Sequence, residues 1–237
     1  MSNGLNVKPA TGKLGILTPG MGAVSTTFIA GVIAIRKGIR LPIGSLTQMG
    51  HIRLGKRTDN NQPLIKNFVP ITELADIEFG GWDIFEDSVY DAAMNAGVLE
   101  EKLLDELKPE LEQIKPMPAV FDNYYVKKLE GTYVKSGPNK MDLAEQLMAD
   151  MENFKKEKGC DRLVMVWCGS TEIFLEKSEV HASIEAFEEG LRNNDPAIAP
   201  SMIYAYAAIK MGVPYANGAP NLSADFPALE ELSKQTG

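Results

Sequence analysis

The stretch Gly15-Ile-Leu-Thr-Pro-Gly-Met-Gly-Ala-Val-Ser-Thr-Thr-Phe-Ile-Ala30 decides how the chain is read. Leu14 to Thr18 is a short apolar run suited to a buried parallel strand. Pro19, Gly20 and Gly22 then turn the chain. From Ala23 to Lys37 the apolar residues Val24, Phe28, Ile29, Val32, Ile33 and Ile35 suit a helix packed on a sheet, and Gly38 stands where a C-terminal cap glycine belongs. A strand, a glycine turn and a helix opening at small residues make a phosphate-binding unit. Glycine lets the backbone approach a phosphate, the leading N–H groups donate to it, and the helix dipole favours its charge. Gly20-x-Gly22-x-x-Ser25 resembles the dinucleotide fingerprint with Ser as its third member. Two other readings stay open at this point. Leu14 to Ile35 carries no charge and is long enough to cross a bilayer, although Pro and two Gly in its first third argue against one continuous helix. The unit could also be a strand, turn and helix that bind nothing.

Outward from this unit, strands and helices alternate. The segment after the first helix, from Leu41 to Gly50, reads as a loop, and Arg53 to Pro63 as a surface hairpin or flap. A second strand over Asp76 to Gly80 leads to Asp83. An acid after the second strand is the usual partner of the adenosine ribose, but here it follows the glycine turn by some sixty residues in place of about twenty. On spacing alone Asp83 is a turn or capping residue, and the nucleotide role needs an insertion over about 41–75. Ser88 to Ala96 is a short helix stopped by Gly97. Leu99, Leu103, Leu104, Leu107 and Leu111 mark a second helix, interrupted at Lys108-Pro109. Ala119 to Phe121 reads as a third strand, before a polar, turn-rich segment from Asp122 to Pro138. Asn139 caps a helix whose Leu143, Leu147, Met151 and Phe154 share a face, closed by Gly159.

Arg162 to Cys168 is a near-continuous apolar strand, and Gly169 to Glu172 is its C-terminal turn. Helices follow over Ser183 to Arg192 and Pro200 to Met211. A short strand over Val213 to Ala216 ends at the turn Asn217 to Asn221, and Pro227 to Gln235 is the last helix. The economical architecture is α/β: a doubly wound, mostly parallel, Rossmann-like sheet with helices on both faces. In such a sheet the turns at 19–25, 80–83, 169–172 and 217–221 converge on one crevice.

Composition narrows the function. With 237 residues, 44% of them hydrophobic and 24% charged, the chain buries a substantial core. A formal charge of −8 argues against nucleic acid and anionic membranes as partners. Cys160 and Cys168 demand neither a disulfide nor a metal, and Met1-Ser-Asn-Gly4 lacks a basic region of the secretory kind, so a cytoplasmic location is expected. No metal-ligand cluster and no Ser-His-Asp or Cys-His set is visible. His51 and His181 read as surface or capping residues, Cys168 as a small hydrophobe, and the pairs Glu100-Glu101 and Glu188-Glu189 as solvated faces.

Taken in order, the segments resemble the myo-inositol-phosphate synthase family. The matching pieces are Gly20-Met-Gly-Ala-Val-Ser25, Gly44-Ser-Leu-Thr-Gln48, Gly81-Trp-Asp-Ile84, Val98-Leu-Glu100, Lys115-Pro-Met-Pro118, Val166-Trp-Cys-Gly-Ser-Thr-Glu172, Ile198-Ala-Pro-Ser201 and Gly212-Val-Pro-Tyr-Ala-Asn-Gly-Ala-Pro220. The family also has the long insertion before Gly-Trp-Asp. The resemblance implies an enzyme that binds NAD and converts glucose 6-phosphate to an inositol monophosphate by internal oxidation, enolisation, aldol closure and reduction. It implies that Gly20, Met21, Gly22, Ala23, Val24 and Ser25 hold the pyrophosphate and Asp83 the adenosine ribose. Ala119, Gly169, Ser170, Thr171, Gly218 and Ala219 would contribute further cofactor contacts, with Ala119 standing where members often carry Ser. The family's enolate-stabilising and phosphate-binding lysines and its tetramerisation domain lie beyond the point equivalent to Gly237. Residues 1–237 are therefore expected to be the NAD-binding part of a homo-oligomeric enzyme, with no catalytic side chain of their own. A non-catalytic NAD-binding module and a conventional dehydrogenase are the competing readings.

Overall fold

The computed structural model describes residues 11–237. The reading of Met1 to Gly4 lies outside them. The first strand, β1 (Lys13–Pro19), is central and alternates as the pleat requires: Ile16 faces one core and Leu17 the other. Helix α1 (Ala23–Arg36) follows at once. Its buried face is Ser25, Thr26, Ile29, Ala30, Val32, Ile33 and Ala34, whereas Val24 and Phe28, expected to pack on the sheet, are exposed. The shift is possible because the two buried hydroxyls have local acceptors: Ser25 Oγ donates to Gly20 O at 2.6 Å and Thr26 Oγ1 to Ala23 O at 3.3 Å.

The segment 41–75 lies between α1 and the second strand. What reads as a loop contains a helical turn, α2 (Leu46–Met49), and a second turn is α3 (Ile65–Phe68). Between them the chain doubles back, with Ile52 N donating to Pro63 O and Leu54 N to Asn61 O. Strand β2 (Ile77–Asp83) runs three residues further than the sequence suggests, because Gly81 and Trp82 stay in parallel register with Thr18 and Pro19. Its Asp83 then pairs with Pro118 of the two-residue strand β3, found after helices α4 (Val89–Ala96) and α5 (Glu101–Leu111). Helix α5 begins only after Leu99 and runs straight through Pro109. The ring is exposed in the last two turns, and Leu104, Leu107 and Leu111 are wholly buried around it. Each such side chain contributes about 1.5–3 kcal/mol, which outweighs one lost helical hydrogen bond.

β3 (Met117–Pro118) replaces the expected strand at Ala119 to Phe121. Ala119 turns instead to the 133–135 segment, its N–H donating to Tyr133 O and its carbonyl accepting from Lys135 N. Helix α6 (Lys140–Lys158) is capped by the Asn139 side chain and closed by Gly159 in the left-handed region. β4 (Cys160–Trp167) starts and ends earlier than the apolar run, leaving Cys168 beyond its end. Three helices, α7 (Ile184–Arg192), α8 (Pro200–Lys210) and α9 (Pro227–Thr236), surround β5 (Tyr215–Asn217). The strand begins at Tyr215 because Val213 N still closes α8 on Ala208 O.

All five strands are parallel, in the order β3-β2-β1-β4-β5. Helices α1, α4 and α5 pack on one face around Ile29, Ile33, Phe79 and Leu107. Helices α6 to α9 cover the other around Leu147, Met165, Phe187, Tyr204 and Phe226. On this second face Glu188 is not a solvated charge: it accepts from Tyr206 Oη at 2.8 Å and Lys210 Nζ at 2.9 Å. His181, 2% exposed, is a buried cap that accepts from Ser178 N at Nδ1. Among the described residues no helix is long and apolar enough to cross a membrane. The fold is therefore the doubly wound, Rossmann-like α/β sheet, and β1 and β4 mark its switch point, where strand order reverses.

Candidate functional site

The C-terminal ends of β1, β2 and β4 share one edge of the sheet, and a cavity of about 360 Å³ opens there. Its rim is the glycine turn. Gly20 has φ +86°, and a Cβ on it would lie 2.5 Å from both Cα and N of Gly169. Gly20 is thus required by the fold: it lets the turns after β1 and β4 touch, a contact tightened by Cys168 N donating to Pro19 O at 2.9 Å. Gly22 differs. It is the N-cap of α1, its φ is −80°, and a Cβ built on it meets nothing within 4 Å. No protein contact demands glycine there; the vacant space faces the cavity.

The opening turn of α1 has no side-chain cap and no acidic residue. Within the helix no side chain occupies its leading N–H groups, which suits an anion. Ser25 stands in the third-glycine position, 1% exposed, and its hydroxyl links the helix to Gly20 O. It also lies against Cys168, whose thiol is pushed up by burial and eased by the Ser25 hydroxyl. A thiol held protonated in this way is no nucleophile.

Asp83 joins the turn from β2. Its Oδ2 accepts from Met21 N at 2.6 Å and its Oδ1 from Phe85 N at 3.2 Å. The sequence left a turn residue and a ribose ligand as alternatives; the carboxylate makes a local turn and also reaches the glycine loop. Burial raises its pKa, the amides of Met21, Phe85 and Ile84 oppose that, and Asp87 adds a nearby negative charge. A hollow of about 480 Å³ adjoins the cavity here, lined by Met21, Gly22, Asp83, Asp87 and Asn95 among others, with no Lys or Arg among the described residues of its wall.

Of the residues singled out from the sequence, Gly20, Gly22, Ala23, Val24, Asp83, Ala119, Gly169 and Ser170 line the cavity, Met21 lines the hollow, and Ser25 lies buried beneath the turn. Thr171, Gly218 and Ala219 are not in either wall. Gly218 spends its amide on Trp167 O at 3.0 Å, and Thr171 is exposed. The floor holds residues the sequence did not point to: Trp82, Trp167 and Tyr204, whose rings sit 5.3 Å and 5.4 Å from one another through Tyr204. Trp82 Nε1 donates to Asp150, Tyr204 Oη accepts from Val120 N, and Trp167 Nε1 is buried with no partner among the described residues. Glu172, quoted only as part of a turn, is buried in the same wall. Tyr204 gives no signal in sequence, since it lies on a helix that is apolar all round. Among the described residues no cluster of His, Cys, Asp and Glu could hold a metal.

Comparison with known proteins gives one answer. An NAD-binding family model described as myo-inositol-1-phosphate synthase matches residues 14–237. Inositol-3-phosphate synthase 1 of Bacteroides thetaiotaomicron is 50% identical over 97% of this chain and 53% of its own length. Inositol-3-phosphate synthase of Brassica napus is 32% identical over 93% of this chain and 46% of its own. The crystal structure of inositol-3-phosphate synthase from Caenorhabditis elegans superimposes with a TM-score of 0.87 at 29% identity, covering 97% of this chain and 48% of that one. The chain thus spans about half the length of the relatives it matches.

Proposed function

The chain belongs to the myo-inositol-1-phosphate synthase family, and from that premise we propose that residues 1–237 are the NAD-binding part of an enzyme that converts glucose 6-phosphate to myo-inositol monophosphate. Bound NAD would supply a hydride acceptor that is restored within each turnover, so no net redox occurs. The observation that carries the reading is the pairing at the start of α1: an open glycine position beside N–H groups that no side chain caps, with the Asp83 carboxylate tied to the same turn.

In this reading the turn Gly20 to Ser25 holds the diphosphate and Asp83 the adenosine ribose. Asp83 and Asp87, with no cation in their hollow, favour NAD over its 2′-phosphorylated form. Ala119, Gly169 and Ser170 border the cavity that takes the remainder of the cofactor, and Thr171, Gly218 and Ala219 reach it only if their turns move. None of the cavity's titratable groups is assigned a proton transfer: Asp83 and Glu172 are engaged by protein donors and Cys168 is held as a thiol. We infer a cytoplasmic, homo-oligomeric enzyme. The free cysteines and the exposed Leu41, Ile43, Leu46 and Phe68 support that assignment.

Titration of the full chain with NADH, followed by nicotinamide fluorescence, tests the first half of the proposal; absence of binding refutes it. Incubation with NAD and glucose 6-phosphate tests the second on an enzyme that also carries the half of the family's length lying beyond the point equivalent to Gly237; residues 1–237 alone should form no product. Inositol monophosphate formed without accumulating NADH is the expected result. Stoichiometric NADH would mean a conventional dehydrogenase, and binding without product a non-catalytic module.

A further inference from the structure

Glu172 is 5% exposed in the wall of the cavity, a costly place for a carboxylate. Its oxygens are nevertheless met by donors from two other segments. Oε1 accepts from Ser201 N at 2.9 Å; Oε2 accepts from Ser201 Oγ and from Asn221 Nδ2 at 3.2 Å. Asn221 returns the contact, its Oδ1 accepting from Glu172 N at 3.4 Å, and its Nδ2 also reaches Ser201 Oγ at 3.1 Å. Ser201 is the second residue of α8, so the carboxylate sits at a helix N-terminus, where negative charge is favoured. Asn221 belongs to the turn after β5, which Asn217 Nδ2 fastens by donating to Asn221 O at 2.6 Å. One side chain therefore joins the turns after β4 and β5 to the start of α8.

That junction is coupled to the glycine turn. Gly169, three residues before Glu172, packs directly on Gly20, and Cys168 N is bonded to Pro19 O. The turn that carries Glu172 is thus in direct contact with the backbone beneath the α1 N-terminus. We propose that Glu172, in its carboxylate form, is a positioning residue that holds the Cys168–Glu172 turn in the shape that receives the dinucleotide. The inference rests on the NAD-binding reading above.

Protonation weakens this hold. With an OH at Oε2 the Ser201 contact persists only by reversing, Ser201 Oγ accepting, and the bonds from Ser201 N and Asn221 Nδ2 lose their charge assistance. The groups that bear on Glu172 from neighbouring elements are the Lys140 ammonium of α6, the Ser201 hydroxyl and Tyr204 phenol of α8, the Tyr125 phenol, and the Tyr215 phenol of β5. The three phenols are pushed up by burial and stay neutral. Burial raises the Glu172 carboxyl to about 6 against the lowering pull of Ser201 and Lys140.

The test is NADH affinity of the full chain, by nicotinamide fluorescence, from about pH 5.5 to about 7.5. Wild-type affinity should weaken about threefold from about pH 7.5 to about 5.5, part of a full acid-side loss of about tenfold, the size of one charge-assisted hydrogen bond, with a one-proton midpoint near 6 in the unliganded protein. Glu172→Gln should bind at the weak, acid-side level throughout. Ser201→Ala, which removes a donor to the carboxylate, should move the midpoint up. A flat wild-type profile overturns the proposal, and so does a Glu172→Gln protein that keeps the midpoint. If Glu172→Gln gives no cooperative melt, Ser201→Ala decides, and an unmoved midpoint there overturns the proposal. Absence of NADH binding at every pH is a different failure, that of the NAD-binding reading itself.

Discussion

Replacing Gly22 by Val separates binding from folding. In the folded chain a Cβ at Gly22 has no neighbour within 4 Å among the described residues, and φ −80° is open to L-residues, with ψ −149° at the margin of the extended region. The stability terms are small and opposed. Losing glycine at an N-cap costs up to about 1 kcal/mol, while the restricted unfolded chain returns about 0.4–1 kcal/mol. The net change should move Tm by no more than about 2–4 °C for a domain of this size. Binding should suffer far more, because the side chain would occupy the space through which the proposed diphosphate approaches the α1 amides. Loss of two hydrogen bonds to a charged group, at about 1.5–3 kcal/mol each, weakens NADH by at least about a hundredfold. The control is Gly20→Ala. There φ +86° strains any L-residue by about 1–2 kcal/mol, and the new Cβ lies 2.5 Å from the Gly169 backbone. That variant should lose both Tm and binding. Thermal melts and NADH fluorescence on the two variants give the comparison. A Gly22→Val protein that melts normally and binds NADH as tightly as wild type would refute the assignment of the turn.

Asp83→Ala should weaken NADH by about ten- to a hundredfold in the same titration, and narrow the preference for NADH over NADPH, since the carboxylate proposed to meet the ribose is gone. Asp150→Ala should lower thermal stability sharply: it strands Lys135, whose side chain is 8% exposed, and takes the acceptor from Trp82 Nε1. Breaking such a pair costs about 3–5 kcal/mol, read as a fall in Tm with apolar Lys135→Met as partial rescue. For stability against pH, Glu172 has a folded value of about 6 above its ordinary 4.5. Ionisation therefore opposes folding, and stability from this group is gained as pH falls from above 6 to below 4.5. The stability of Glu172→Gln relative to wild type should drop by about 2 kcal/mol across that window in denaturant titrations. Glu188 carries the opposite sign. Burial acts to raise it, but Lys210, Tyr206 and Arg192 outweigh burial and lower it, so its contribution is present above about 4.5 and lost below.

The sequence by itself determined the sheet and most of its wrapping, because those depend on local periodicity and on caps that act over a few residues. The run before Pro19, the glycine turn, Ser88 and Asn139 at helix starts, and Gly97 and Gly159 at helix ends are all readable without tertiary context. Strand ends were less legible. Whether β2 stops at Gly80 or continues to Asp83 is set by pairing with β1 and β3, which involves residues over sixty positions upstream and over thirty downstream. For the same reason the sequence left a turn residue and a ribose ligand as alternatives for Asp83 and gave no sign that its carboxylate reaches back to Met21 N. Gly20 and Gly22 look equivalent as letters; only packing shows that one is needed by the Gly169 backbone and the other faces open space. Glu172 had the least signal of all. Its burial and its partners Ser201 and Asn221 come together only when α8 and the turn after β5 close over the end of β4. Periodicity specifies which face of an element is apolar, but which polar groups meet across elements is decided by how the layers pack.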